Sequence, residues 1–224
     1  MQFTVGGKPL EVALRHLTVA GWTGRDREAL EHHIREMVAL GFPAPASVPV
    51  HYPIAAALLT HDAAIQTIGP QTSGEVEPMI LQIGRKRYLG LASDHTDRAL
   101  AAHSIGLAKQ VCAKPCAPVL WPWEEVADRL DDLRLESWIA DADGDWIPYQ
   151  RGTLAAIRPL AELAEAAGLM AQAADGPAAL LCGTLGVLAG GVRAAPRFRM
   201  SLTDDARSRA IRHQYDVEEL PEIG

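Results

Sequence analysis

The chain has 224 residues, and its 21 Lys+Arg against 28 Asp+Glu give a formal charge of −7 and a pI near 5.6. That balance excludes nucleic acid as the main partner, because phosphate binding needs a clustered basic surface. A hydrophobic share of 48% and a mean hydropathy of +0.01 exclude a disordered chain, and no apolar run reaches the roughly eighteen residues that would cross a membrane.

Taken in order, QFTV and LEVALRHLTVA read as two strands joined by the Gly6-Gly7-Lys8-Pro9 turn. Arg25 to Leu40 reads as a helix, with Leu30, Ile34, Met37 and Val38 at helical spacing and Gly41 as its stop. FPAPASVPVHYP must be loop or extended chain, since each proline fixes φ and removes a donor. A short helix is expected near Ile54–Leu59. From Gly74 the period becomes two, and MILQIG and RYLGLAS form a hairpin around Gly84-Arg85-Lys86. Thr96–Ala108 and Trp123–Asp131 read as helices. LRLESWIAD and DWIPYQ read as strands around Asp143-Gly144. The alanine-rich stretch Leu154–Ala174 reads as the strongest helix, followed by strands ALLCGTL and RFRMSL and a polar tail ending YDVEELPEIG. Helices scattered among hairpins predict an α+β fold in one domain over 1–224. With only 5% aromatics, its core must rest on small and branched aliphatic side chains. The start of the chain has no signal-peptide pattern, which points to the cytoplasm. Cys112, Cys116 and Cys182 are an odd number without zinc-finger spacing and read as free thiols.

Five groups of residues could carry chemistry. In Glu75-Val76-Glu77 the carboxylates at i and i+2 of a strand face one side, where a hard divalent ion would relieve their repulsion; the alternative is a solvated strand face. Asp94, in Ser93-Asp94-His95-Thr96-Asp97-Arg98, follows a strand and precedes a helix, so it is either a third ligand or part of an N-cap. His33 and Glu36 share a helix face, where the carboxylate can orient the imidazole as a base; the alternative is an exposed polar face. Lys109 and the Gly183-Thr184 turn offer a cation, a hydroxyl and backbone N–H groups to an anion, or are a surface charge and a plain turn.

In this order the motifs resemble the fumarylacetoacetate hydrolase superfamily, over about Val19 to Val217. That family carries an H-x-x-E lid, an E-x-E strand, an aspartate after the next strand, a lysine and a GTPxGxG turn, whose proline is Leu185 here. The resemblance implies a mixed β-roll, with strands and lid in 1–70 and the metal-binding core in 71–224. It implies Mg²⁺ or Mn²⁺ on Glu75, Glu77 and Asp94, and His33 oriented by Glu36 as base. It further implies Lys109, Gly183 and Thr184 on a small anionic substrate, with Arg25 as another anion contact, and a homodimer. The implied activity is a metal-dependent hydrolase cleaving a C–C bond in an acylpyruvate-like 2-oxo acid. The alternatives are a lyase on the same site, acting as hydratase or decarboxylase, and a non-catalytic metal-binding module.

Overall fold

The computed structural model describes residues 1–39, 41, 44–141, 143–188 and 190–223. Two sheets carry the fold. The first has eight strands in the order Lys8–Glu11, Gln2–Val5, Val119–Pro122, Lys86–Ser93, Val76–Ile83, Ala178–Leu181, His16–Gly21 and Val50–Ile54. The second has five, in the order Trp146–Thr153, Arg134–Ala140, Arg197–Asp204, Arg209–Leu220 and Ala64–Ile68. Both draw on the N-terminal and the C-terminal parts of the chain. The helices are short: α1 (Arg27–Ala39), α2 (Arg98–Ala101), α3 (Ile105–Gln110), α4 (Leu160–Ala166) and α5 (Leu169–Gln172). No described helix is long and apolar enough to cross a membrane.

The strand Val76–Ile83 is buried on both faces, which explains its nearly unbroken apolar run. Ile80 points into a core shared with Leu135, Phe198, Ile211 and Tyr215 of the second sheet, while Met79 and Leu81 join Phe3, Val19 and Leu120 on the other side. Aliphatic residues fill most of both clusters, as the low aromatic content required. All three cysteines are free and buried.

Register positions the site. Val76–Ile83 runs antiparallel to both neighbours, pairing Val76 with Ser93 on one side and Leu181 with Met79 on the other. The start of this strand therefore meets the ends of two others. Residues 75–77, 93–95 and 182–184 gather there although more than a hundred positions separate the first from the last.

Several elements differ from expectation for local reasons. The stretch 154–174 is broken into a 3-10 turn (Leu154–Ala156), α4 and α5, because Pro159 sits before α4 and Gly168 takes a left-handed φ of 64°. Thr96–Ala108 is split into α2 and α3, with Ser104 capping α3 through the Leu107 N–H. The charged segment 123–131 forms only 3-10 turns, and 54–59 gives the end of a strand and one 3-10 turn. The proline-rich segment supplies Val50–Ile54, an edge strand where Pro53 is tolerated. The polar tail is in fact part of a twelve-residue strand, Arg209–Leu220, whose buried Ile211 and Tyr215 face the core between exposed polar residues. Leu40, Phe42 and Pro43, which end the first predicted helix and start the proline stretch, lie outside the described residues.

Candidate metal centre

Glu75, Glu77 and Asp94 each place a carboxylate oxygen within 4.8 Å of the others. Glu75 lies just before its strand, and its carbonyl accepts from Asp94 N at 2.9 Å, which ties the two motifs together. Glu77 is 2% exposed and Asp94 is fully buried. Burial, together with the negative charge of Asp94, pushes the Glu77 carboxyl well above its ordinary range; Lys109 and the Gly183 N–H oppose this only in part. Burial would raise Asp94 too, but Lys109 and Lys114 outweigh it and hold its carboxyl down to about 2.

Lys109, at the end of α3, donates to Asp94 Oδ2 and is itself held charged by the three carboxylates against the cost of burial. Its ammonium also lies 5.7 Å from the ring centre of Tyr52. Gly183 donates its N–H to Glu77 Oε2 at 2.8 Å, so this backbone group serves the carboxylate. Its φ of 91° and a neighbour, Thr23 Oγ1, only 1.8 Å from where a Cβ would stand leave room for glycine alone. Thr184 donates its hydroxyl proton to Val76 O at 2.7 Å and accepts from Gln150 Nε2 at 2.7 Å, which fastens the turn to the strand that carries Glu77. Its proton is thus committed to the main chain, where the expectation had it facing substrate.

Other expected residues stand elsewhere. Arg25 is bound bidentately to Asp131 at 2.6 and 2.7 Å and donates its Nε to Ile157 O, so its guanidinium is engaged in that ion pair. Helix α1 buries none of its residues. His33 on it is 58% exposed, and the Glu36 carboxylate lies nearer His32 (3.2 Å) than His33 (3.8 Å). The i,i+4 pair wins over the i,i+3 pair. His33 instead approaches the Trp22 ring at 5.7 Å between centroids.

Four residues that the motifs did not single out complete the centre. Lys114 is fully buried; it donates to the carbonyls of His95 (2.6 Å), Lys109 (2.5 Å) and Cys112 (3.0 Å) and stands 3.4 Å from Asp94 Oδ1. Arg98 pairs with Glu75 Oε1 at 3.2 Å. Gln150 accepts from Val76 N and Ser137 Oγ and donates to Thr184 Oγ1 and Leu185 O, using its whole amide. His95 bridges Tyr215 Oη at 3.0 Å and Thr72 Oγ1 at 2.9 Å. A lysine inside the otherwise apolar Cys112–Pro118 stretch, and an arginine four residues after Asp94, were the available signals.

Burial, reinforced by Lys114, lowers the His95 imidazole from 6.5 to about 3. Its folded value lies below its unfolded one, so the unfolded chain binds the extra proton and stability drains away as pH falls below about 6.5. The loss approaches about 1.4 kcal/mol per pH unit until the folded value is reached. Glu77, raised by folding, acts in the opposite direction, so the informative quantity is the difference between wild type and His95→Asn. Urea unfolding between pH 6.5 and 4.5 should show a steeper decline for wild type by about that slope.

The residues suit a hard cation. All three donors are carboxylates, and Asp94 Oδ1 is buried without a hydrogen-bond partner among the described residues, with Lys114 at ion-pair distance only. Two large sheets with few helices, and this cluster at the start of a central strand, make a mixed α+β fold. The chain belongs to the family described as "Protein of unknown function (DUF2848)", which matches residues 20–215. Its fold is shared with 2-keto-3-deoxyarabinonate dehydratase, at a TM-score of 0.65 and 14% identity over 93% of this chain and 75% of that one. A second structure of a dehydratase, "2-keto-3-deoxy-D-arabinonate dehydratase complexed with magnesium and 2,5-dioxopentanoate", gives 0.62 and 12% over 92% and 74%. The structure of Cg1458 gives 0.60 and 11% over 93% and 77%. No curated protein matches the chain in sequence.

Proposed function

We propose that the chain is a Mg²⁺- or Mn²⁺-dependent enzyme that breaks a bond in a small 2-oxo acid, working as one domain over 1–224. The observation that carries this reading is the cluster of Glu75, Glu77 and Asp94, two of them buried, with their oxygens within 4.8 Å of one another. A divalent ion on these carboxylates would act as a Lewis acid toward a chelating 2-oxo acid. Lys109 fixes the Asp94 carboxylate and keeps a positive charge beside it. The Gly183 N–H fixes Glu77, and Thr184 with Gln150 holds Val76, so the two glutamates cannot swing apart. The magnesium and 2,5-dioxopentanoate named with the similarly folded dehydratase support the same metal and substrate class here.

Lyase chemistry, such as loss of water from the 2-oxo acid, is favoured over hydrolytic C–C cleavage by the likeness in fold to 2-keto-3-deoxyarabinonate dehydratase. Hydrolysis needs a base for water, and His33 stands 58% exposed on α1. Hydrolysis is the second reading and requires α1 to bring His33 to the cluster. The two separate by experiment: turnover of a panel of 2-oxo acids with Mg²⁺ or Mn²⁺, with products weighed by mass spectrometry. Loss of water alone supports the lyase; a 2-oxo acid plus a second carboxylic acid supports the hydrolase, in which case His33→Ala should lose most of its rate with metal binding retained. If neither ion raises the melting temperature and nothing turns over, the enzyme reading fails. A raised melting temperature without turnover would favour the binding module. The same reading includes a homodimer in the cytoplasm, measurable as particle mass in solution.

A further inference from the structure

The second sheet turns Leu135, Phe198, Met200, Leu202 and Ile211 inward to the shared core. On its other face stand Arg134, Arg151, Arg197, Arg199 and Arg212, a concentration of positive charge in a chain whose net charge is −7. Part of that charge is answered locally. Glu136 is shared by Arg134 at 2.6 Å and Arg151 at 2.9 Å, and Asp216 stands opposite Arg197 in register. Arg199 and Arg212 have no carboxylate within ion-pair distance among the described residues.

These two arginines line a cavity of about 370 Å³ together with Trp138, Ser201, Thr203 and the Arg134–Glu136 pair. Arg199 faces Gln214 and Ser201 faces Arg212, so the two cations are diagonal neighbours, about 7–8 Å apart at the backbone. The Arg199 guanidinium carbon lies 4.0 Å from the ring centre of Trp146, and its Nε donates to Gln214 Oε1 at 3.3 Å. That fixes the group and leaves both of its terminal nitrogens without a partner among the described residues. Ser201, 5% exposed, and Thr203 share one hydrogen bond of 3.1 Å, so one of their two hydroxyl protons remains to be donated. Trp138, opposite Arg199 in register, adds a half-buried apolar wall. The free groups are therefore all donors, and a doubly charged oxyanion would cancel both unpaired cations. Guanidinium forks beside a hydroxyl suit a phosphate in particular.

We propose that this cavity binds a phosphate monoester, with the phosphate between Arg199 and Arg212 and the organic part against Trp138. The site lies on the face of the second sheet turned away from the core, and it stands whether or not the chain is a metal-dependent enzyme. Titration calorimetry on the intact, metal-depleted protein near neutral pH tests it, with inorganic phosphate, phenyl phosphate and succinate as probes. Phenyl phosphate should saturate at one per chain and bind about threefold or more tightly than inorganic phosphate, an advantage that Trp138→Ala removes. Arg199→Gln and Arg212→Gln should each weaken both phosphates at least about tenfold. Arg151→Gln removes an arginine of the same face outside the cavity and should change affinity less than about threefold. Melting temperatures show that each variant is folded. No saturable phosphate binding in wild type overturns the proposal, as does affinity retained in both cavity variants, which would place the anion elsewhere. An equal loss in Arg151→Gln would reduce the site to a general positive field, and tighter binding of succinate would overturn the phosphate assignment. Absence of phosphate binding with a particle mass that halves in Arg212→Gln would give this face to a second copy of the chain, and would overturn the proposal too.

Discussion

Glu77→Gln is expected to give a folded protein that no longer responds to Mg²⁺ or Mn²⁺. The side chain is buried against Asp94, and without an ion its charge is unwelcome there, which is why its carboxyl is held well above the ordinary range. A group whose folded pKa lies above its unfolded one lowers stability as pH rises through the folded value. Glutamine has nearly the same shape, can still accept from the Gly183 N–H, and carries no charge to repel Asp94. The metal-free variant should therefore melt no lower than wild type near neutral pH. Its metal affinity should fall at least about 100-fold, because a ligand is lost rather than an outer partner of one. Thermal unfolding with and without the ion measures both. A variant that keeps the full metal-induced shift would remove Glu77 from the ligand set.

Lys114→Ala is expected to have the largest effect on stability, a loss of about 3–5 kcal/mol in urea unfolding. The ammonium is completely buried and sits among the carbonyls of His95, Lys109 and Cys112 and the Asp94 carboxylate. Removing it leaves three acceptors without a donor and withdraws one of the two charges that keep Asp94 ionised. Lys114→Met, which keeps most of the apolar stem, should recover packing but not those bonds, and so stay closer to the alanine variant than to wild type. Nearly unchanged stability in both would mean that the lysine is not a structural bracket of the site.

The carboxylate cluster was legible because its signals are local. Two glutamates at i and i+2, and an aspartate between strand and helix, keep their meaning whatever lies around them. Lys109 was legible through its place in the family order. The ion pair of Arg25 was not legible, because nothing nearby in sequence announces Asp131, more than a hundred residues away. His33 and Glu36 do share a helix face as the spacing said. Their distance from the cluster depends on how α1 sits on the body, and spacing says nothing of that. The segment 154–174 carried its own correction in Pro159 and Gly168, which its alanine content masked. In the last strand, Ile211, Tyr215 and Val217 alternate with polar residues, but the charges between them read as a solvated tail.

What the sequence determined alone was what short-range physics decides: the hairpin at Gly84, the apolar strands, the free thiols, the acidic balance and the three carboxylates offered as a candidate metal site. The tertiary structure decided how these charges are shared. Antiparallel neighbours bring Gly183 to Glu77, the chain after Asp94 returns Lys109 and Lys114 to it, and Arg98 closes on Glu75. Those contacts follow from strand register and from the burial of each group. Both are properties of the packed sheets, because a charge finds its partner only where the fold has removed the water that would otherwise solvate it.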